Sequence, residues 1–135
     1  MSSEPTVVIR LDGDGLVYRP GETFSGQYWI KSLEAGQVKA VEASVLWHTE
    51  GKGDEDMAVH EFWRRDADDG RPIDLSQPER FSTMLPNSPL SYEGQIIKLR
   101  WYVRVRAFPN RGKEVVGEKV FQLGDVPPIR AKLSL

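Results

Sequence analysis

The segment from Phe81 to Phe108, FSTMLPNSPLSYEGQIIKLRWYVRVRAF, restricts the fold more than any other part of the chain. A short extended run breaks at Leu85-Pro86 and Ser88-Pro89, turns through Tyr92-Glu93-Gly94, and leads into a long alternating stretch. Ile97, Leu99, Trp101, Val103, Val105 and Ala107 share one parity, while Lys98, Arg100, Tyr102, Arg104 and Arg106 share the other. Side chains on a strand alternate between faces, so this is a strand with one apolar side. A corner followed by such a strand is how a β-sandwich turns from one sheet to the other.

The period of two recurs along the chain. A first strand is expected from Val7 to Leu11, followed by a turn at Asp12-Gly13-Asp14-Gly15 and renewed extended structure from Leu16 to Tyr18. Arg19-Pro20-Gly21-Glu22 is a second turn, with proline and glycine at the two central positions. Phe24, Gly26, Tyr28 and Ile30 then point inward and Ser25, Gln27, Trp29 and Lys31 outward. Val41, Ala43, Val45 and Trp47 form another inward face, opposite Glu42, Ser44 and His48. A strand from Met57 to Arg64, a long polar loop from Asp66 to Glu79, and a strand through Phe81, Thr83 and Leu85 follow. The last strand spans Glu114 to Leu123, with parity unclear from Val115 to Val120 and a bulge expected near Gly117. The prolines of Val126-Pro127-Pro128-Ile129 prevent that tail, residues 126–135, from continuing as a central strand. Seven to eight strands between turns, with no βαβ alternation, predict an all-β antiparallel sandwich. The length of 135 residues fits one domain over residues 1–135.

Several of these residues resemble a known family. Tyr18-Arg19-Pro20-Gly21-Glu22 followed by Phe24, Gly26, Tyr28 and Ile30 is similar to the first hairpin of arrestin-like domains. The segment Phe81…Leu85-Pro86…Ser91-Tyr92-Glu93-Gly94, with the strand from Ile96 to Ala107, resembles the later corner and strand of the same domain. The stretch from Val45 to Asp54 looks like the middle strand and loop of bacterial members. The resemblance implies an immunoglobulin-like β-sandwich of the arrestin N-domain type, and an adaptor that binds other proteins rather than an enzyme. Family members usually carry two tandem domains, so the second domain and receptor-triggered switching are not carried over to this chain.

Composition narrows the chemistry. There is no cysteine, which excludes disulfides, thiolate metal sites and a cysteine nucleophile, and fits a reducing compartment. The start, Met1-Ser2-Ser3-Glu4-Pro5-Thr6, has no basic or apolar leader, so a cytoplasmic protein is expected. The two histidines, His48 and His60, lie in no nucleophile motif, so no catalytic residue is assigned. Asp66-Ala67-Asp68-Asp69-Gly70 and the acidic residues Glu50, Asp54, Glu55 and Asp56 resemble calcium loops only loosely; no metal and no cofactor is expected. The net charge of −2 offers no general attraction to nucleic acid.

What remains is recognition. Lys98, Arg100, Arg104 and Arg106, with Tyr102 among them, make a cationic ridge about 27 Å long. Cross-strand carboxylates such as Glu42, Glu61 or Glu118 are expected to neutralise it; otherwise it would take an acidic peptide or a lipid headgroup, and nothing else supports membrane contact. Trp47 and Trp101 fall on inward parities, Trp29 falls outward, and one of Phe62 and Trp63 must face away. The expected partner-binding set is therefore Trp29, Trp63, Lys98, Arg100, Tyr102, Arg104 and Arg106, on a non-enzymatic module that meets a protein through a sheet face or edge. An unpaired edge strand would also serve a homodimer. The alternative is a carbohydrate-binding sandwich with Trp29, Tyr102 and Trp63 stacking on sugar rings.

Overall fold

The computed structural model describes residues 4–13, 17–51, 53, 55–68 and 71–124. Among them are nine strands: β1 (Thr6–Leu11), β2 (Val17–Tyr18), β3 (Thr23–Lys31), β4 (Val38–Gly51), β5 (Met57–Asp66), β6 (Glu79–Met84), β7 (Tyr92–Glu93), β8 (Ile97–Pro109) and β9 (Val115–Leu123). A 3₁₀ turn at Ala35–Gln37 joins β3 to β4. One sheet has the order β1-β3-β6; the other runs β2-β9-β8-β4-β5, with β7 paired to β8 beyond the end of β9. The two pack face to face as the expected immunoglobulin-like sandwich.

Every named pairing is antiparallel except the short parallel match of Val17 and Tyr18 with Gln122 and Leu123. That departure from a wholly antiparallel sandwich has a packing cause. The Tyr18 ring is buried edge-on to Phe24, at 4.8 Å, and to Phe121, at 5.7 Å, so β2 is drawn alongside β9. The next turn forms as the sequence predicts: Glu22 N–H donates to the Arg19 carbonyl at 3.1 Å, and Gly21 takes a φ of 80°. Asp14, Gly15 and Leu16, and the tail 126–135, lie outside the described residues.

The inward parities of β3 and β4 and most of that of β8 supply the core. Phe24, Tyr28, Ile30, Val41, Ala43, Val45, Trp101, Val103, Val105 and Ala107 are all buried. Each large apolar side chain buried in this way contributes roughly 1.5–3 kcal/mol. Ile97 is exposed, because it sits at the far end of β8 opposite Gly51. The corner before β8 is tied down at three points. Trp101 Nε1–H donates to the Pro89 carbonyl at 2.7 Å, Ser91 N–H to the Leu123 carbonyl at 2.8 Å, and Leu123 N–H to Ser91 Oγ at 2.8 Å.

Two sequence expectations are corrected. The loop after β5, expected as a long polar connection, carries Ile73 into the core and lays Leu75 against it. And β9 has no bulge at Gly117: its register against β8 runs unbroken from Val115 to Phe121. Gly117 is required for a different reason, since a Cβ there would lie 2.7 Å from Val7 Cβ. β1 crosses the inner side of β9 at that point. The irregularities fall instead on β4, between Val38 and Ala40 against β8 and between Val45 and Leu46 against β5, where His60 is the extra residue.

Candidate functional site

The outer face of the larger sheet is built in rows that cross its strands. In one row Val59, Leu46, Tyr102 and Val120 lie side by side on β5, β4, β8 and β9. In the next stand Phe62, Ser44, Arg104 and Glu118, and in the third Arg64, Glu42, Arg106 and Val116. Met57, His48 and Arg100 border the first row on its other side. Directly opposed side chains in such rows lie within contact distance.

The face is therefore amphipathic. Met57, Val59, Phe62, Val116 and Val120 are between 44% and 57% exposed. Between them Leu46 and Tyr102 are buried although they point away from the core. Tyr102 is covered by its neighbours: the His48 ring stands edge-on at 5.0 Å and the Arg104 guanidinium lies 5.3 Å from the ring centre. Burial raises the Tyr102 hydroxyl above the usual phenol range, against a smaller opposing pull from Arg104. Exposed apolar side chains grouped on one sheet face mark a contact surface.

The cationic ridge exists, but it is not a free positive stripe. Lys98 meets Glu93 at 3.2 Å, Arg100 meets Glu50 at 4.0 Å, Arg104 meets Glu118 at 2.8 Å and Arg106 meets Glu114 at 3.8 Å. Of the carboxylates expected to neutralise it, Glu118 does so. Glu42 instead pairs with Arg64, and Glu61 accepts a bond from Thr83 Oγ1 at 3.4 Å. Exposed pairs of this kind are worth at most about 1 kcal/mol each, yet they cancel the ridge's field at short range. Glu50 is held below the usual carboxylate range, chiefly by its hydrogen bond from His48 and then by Arg100 and Lys98.

The structure divides the expected partner-binding residues among three surfaces. Lys98, Arg100, Tyr102, Arg104 and Arg106 share the outer face of the larger sheet. Trp29 lies on β3 in the other sheet, with the Arg10 guanidinium 5.6 Å from its ring centre. Trp63 points inward and packs on Phe81, ring centres 5.9 Å apart, so the outward place of that pair belongs to Phe62. With Trp63 internal, Tyr102 buried and Trp29 on the opposite sheet, the coplanar stacking platform of the carbohydrate alternative does not assemble.

The two histidines are both engaged. His48 Nε2 contacts Glu50 Oε1 at 2.9 Å, and His60 Nε2–H donates to the Met84 carbonyl at 2.8 Å. Among the described residues no group of three or more His, Cys, Asp or Glu side chains is placed to hold a metal ion. Nor is any helix among them long and apolar enough to cross a membrane. A groove of about 450 Å³ opens where β9 gives way to β7, lined by Val17, Tyr92, Leu99, Arg100, Val120 and Phe121. It borders the amphipathic face at Arg100 and Val120.

Sequence reasoning missed Met57, Val59, Phe62, Leu46, Val116 and Val120 as parts of one surface. The extra residue in β5 breaks the alternation of Met57-Ala58-Val59-His60-Glu61-Phe62, so parity could not be followed through it. Val116 and Val120 carried a usable signal, since they share a parity with Glu118.

No protein-family model matches the chain, and no curated protein matches it. Among solved structures it is similar to the crystal structure of Spo0M, a sporulation control protein from Bacillus subtilis, with a TM-score of 0.62 and 16% sequence identity. The match covers 98% of this chain and 54% of Spo0M, so the chain spans about half the length of that protein. At this identity the likeness establishes the fold, an arrestin-like β-sandwich.

Proposed function

We propose that this chain is a non-enzymatic protein-interaction module whose recognition surface is the outer face of the larger sheet. The observation that carries the reading is the grouping of Met57, Val59, Phe62, Val116 and Val120, all exposed, around paired charges on one face. Apolar anchors within a polar surround are the anatomy of a protein contact. The neutralised ridge favours a protein over a polyanion, because each cation already has a carboxylate within 4.0 Å. The structural likeness to a sporulation control protein agrees with a regulatory or scaffolding role; a cytoplasmic location is part of the same proposal.

The test compares partner capture by the native chain with capture by Phe62→Ser and Val120→Ser, using Trp29→Ala on the opposite sheet as the control. Loss of an anchor is expected to weaken a specific partner by about 30-fold, as for interface residues worth ~2 kcal/mol. The control should bind as the native chain does. Equal affinity for the native chain and both outer-face variants, at unchanged stability, would remove this face from the reading.

A further inference from the structure

We propose that a second copy of this chain pairs with the free edge of β5, in antiparallel register about a two-fold axis at Trp63, joining two larger sheets into one. β5 ends its sheet, and at ten residues it is the longest strand at any sheet edge among the described residues. Phe62 N–H is taken by the Glu61 carboxylate at 3.3 Å, which marks it as facing away from β4. Alternation then turns the backbone groups of Arg64 to the same open side. A row of unpaired N–H and C=O groups is a template for another strand.

The charge pattern chooses both the partner and the register. Centred on Trp63, the antiparallel match sets Glu61 opposite the second copy's Arg65 and, by symmetry, Arg65 opposite its Glu61. The same match sets His60 against Asp66 on each side, and Phe62 against Arg64 as a main-chain hydrogen-bonded pair. A centre at Phe62 would oppose Glu61 to Trp63 and His60 to Arg64. A centre at Arg64 would oppose Arg65 to Trp63. A centre at Arg65 would oppose Arg64 to Asp66 but set the two Arg65 side chains against each other; the Trp63 centre opposes acid to base on both sides of the axis with no like charges facing, and opposite charges directly across strands are favourable.

The inner side of β5 is ready for this arrangement. Trp63 packs on Phe81, Arg65 meets Glu79 at 3.6 Å, and His60 bonds the Met84 carbonyl, so the strand is held against β6 through its side chains while its lateral backbone stays open. On pairing, the Glu61 carboxylate would leave its own chain's N–H and turn to the facing guanidinium. The inference does not rest on the adaptor reading: it uses the backbone edge of β5 and the inward Glu61 and Arg65, whereas the outer face offers the Phe62 side chain.

Sedimentation equilibrium of the purified chain, diluted from ~1 mM downward, tests the proposal. The native chain should form dimers. Glu61→Arg and Arg65→Glu, each alone, should raise the dimer dissociation constant about 30-fold, because two attractive pairs become repulsive. An equimolar mixture of these two variants should form the heterodimer, and the double variant E61R/R65E should regain the homodimer. Arg64→Pro removes one edge N–H without touching the inner side chains, and should abolish dimerisation even if a charge variant folds poorly. A native chain that stays monomeric throughout, or a dimer undiminished in both R65E and R64P, would overturn the proposal.

Discussion

Gly117→Ala should destabilise the protein, although alanine suits an extended strand better than glycine does. The new Cβ would stand 2.7 Å from Val7 Cβ, 2.8 Å from Val7 Cγ1 and 3.1 Å from the Val7 carbonyl oxygen. Real side chains do not approach so closely, so β1 or β9 must move. Overpacking of this kind costs typically 1–3 kcal/mol. The lost freedom of the unfolded chain returns about 0.4–1 kcal/mol. The net expectation is a loss of ~1–2 kcal/mol, read as a lower denaturant midpoint at unchanged slope and a fall of about 3–8 °C in Tm. The contact also dictates the rescue. Val7→Ala removes Cγ1 but leaves the closer Cβ, so it should relieve the variant only in part. Val7→Gly removes both, and the double variant G117A/V7G should show a coupling of at least ~1 kcal/mol relative to the sum of the singles. A neutral or stabilising Gly117→Ala, or additive singles, would refute the close crossing of β1 over β9.

Three further outcomes are expected. Trp101→Ala should lose ~3–5 kcal/mol of stability in chemical denaturation, whereas Trp101→Phe, which keeps most of the packing but strands the Pro89 carbonyl, should lose only about 1–2; a Trp101→Phe variant as stable as the native chain would deny the indole hydrogen bond a role. Asp12 is held below the usual carboxylate range by bonds from Ser25 and then Arg80, so its contribution is present above the unfolded-state pKa and lost as pH falls through the lower folded value. Denaturation of the native chain and Asp12→Asn should therefore differ at neutral pH and converge in acid; a gap that widened in acid would reverse the argument. Ile73→Ala should cost about 2 kcal/mol or more if the loop after β5 plugs the core, and a loss under ~0.5 would return that loop to solvent.

How much of this was legible depended on whether period-two alternation was clean. Where it was, as in β3, β4 and the central part of β8, inner and outer faces could be assigned residue by residue. Trp101 was placed in the core on parity alone. The reading faltered where a residue served tertiary rather than local geometry. Gly117 looks like a bulge because a strand glycine commonly marks one, yet it answers to Val7 more than a hundred residues earlier. Ile73 and Leu75 stand two residues apart in a loop otherwise polar or proline-bearing, too short a run to establish a period. The outer face was half legible. Its cations were visible as one stripe on β8, but their carboxylates come from β4, β7, β9 and the turn before β9. The apolar members are spread over β4, β5 and β9, so only the register gathers them. Trp63 and Phe62 could not be told apart because the shift in β5 lies just before them.

His60 shows what that shift means for the chain over evolutionary time. Glu61 faces Val45 and Val59 faces Leu46, so His60 occupies no rung of its own. Its removal would leave Met57 and Val59 on the outside and Glu61 and Trp63 on the inside, with no side chain changing face. The position is thus a place where the gene can gain or lose one codon without scrambling the strand. What the extra residue adds is a tether: its imidazole spans the gap between the sheets to the Met84 carbonyl. The rim of the sandwich carries a stitch that can be unpicked while the cloth stays whole.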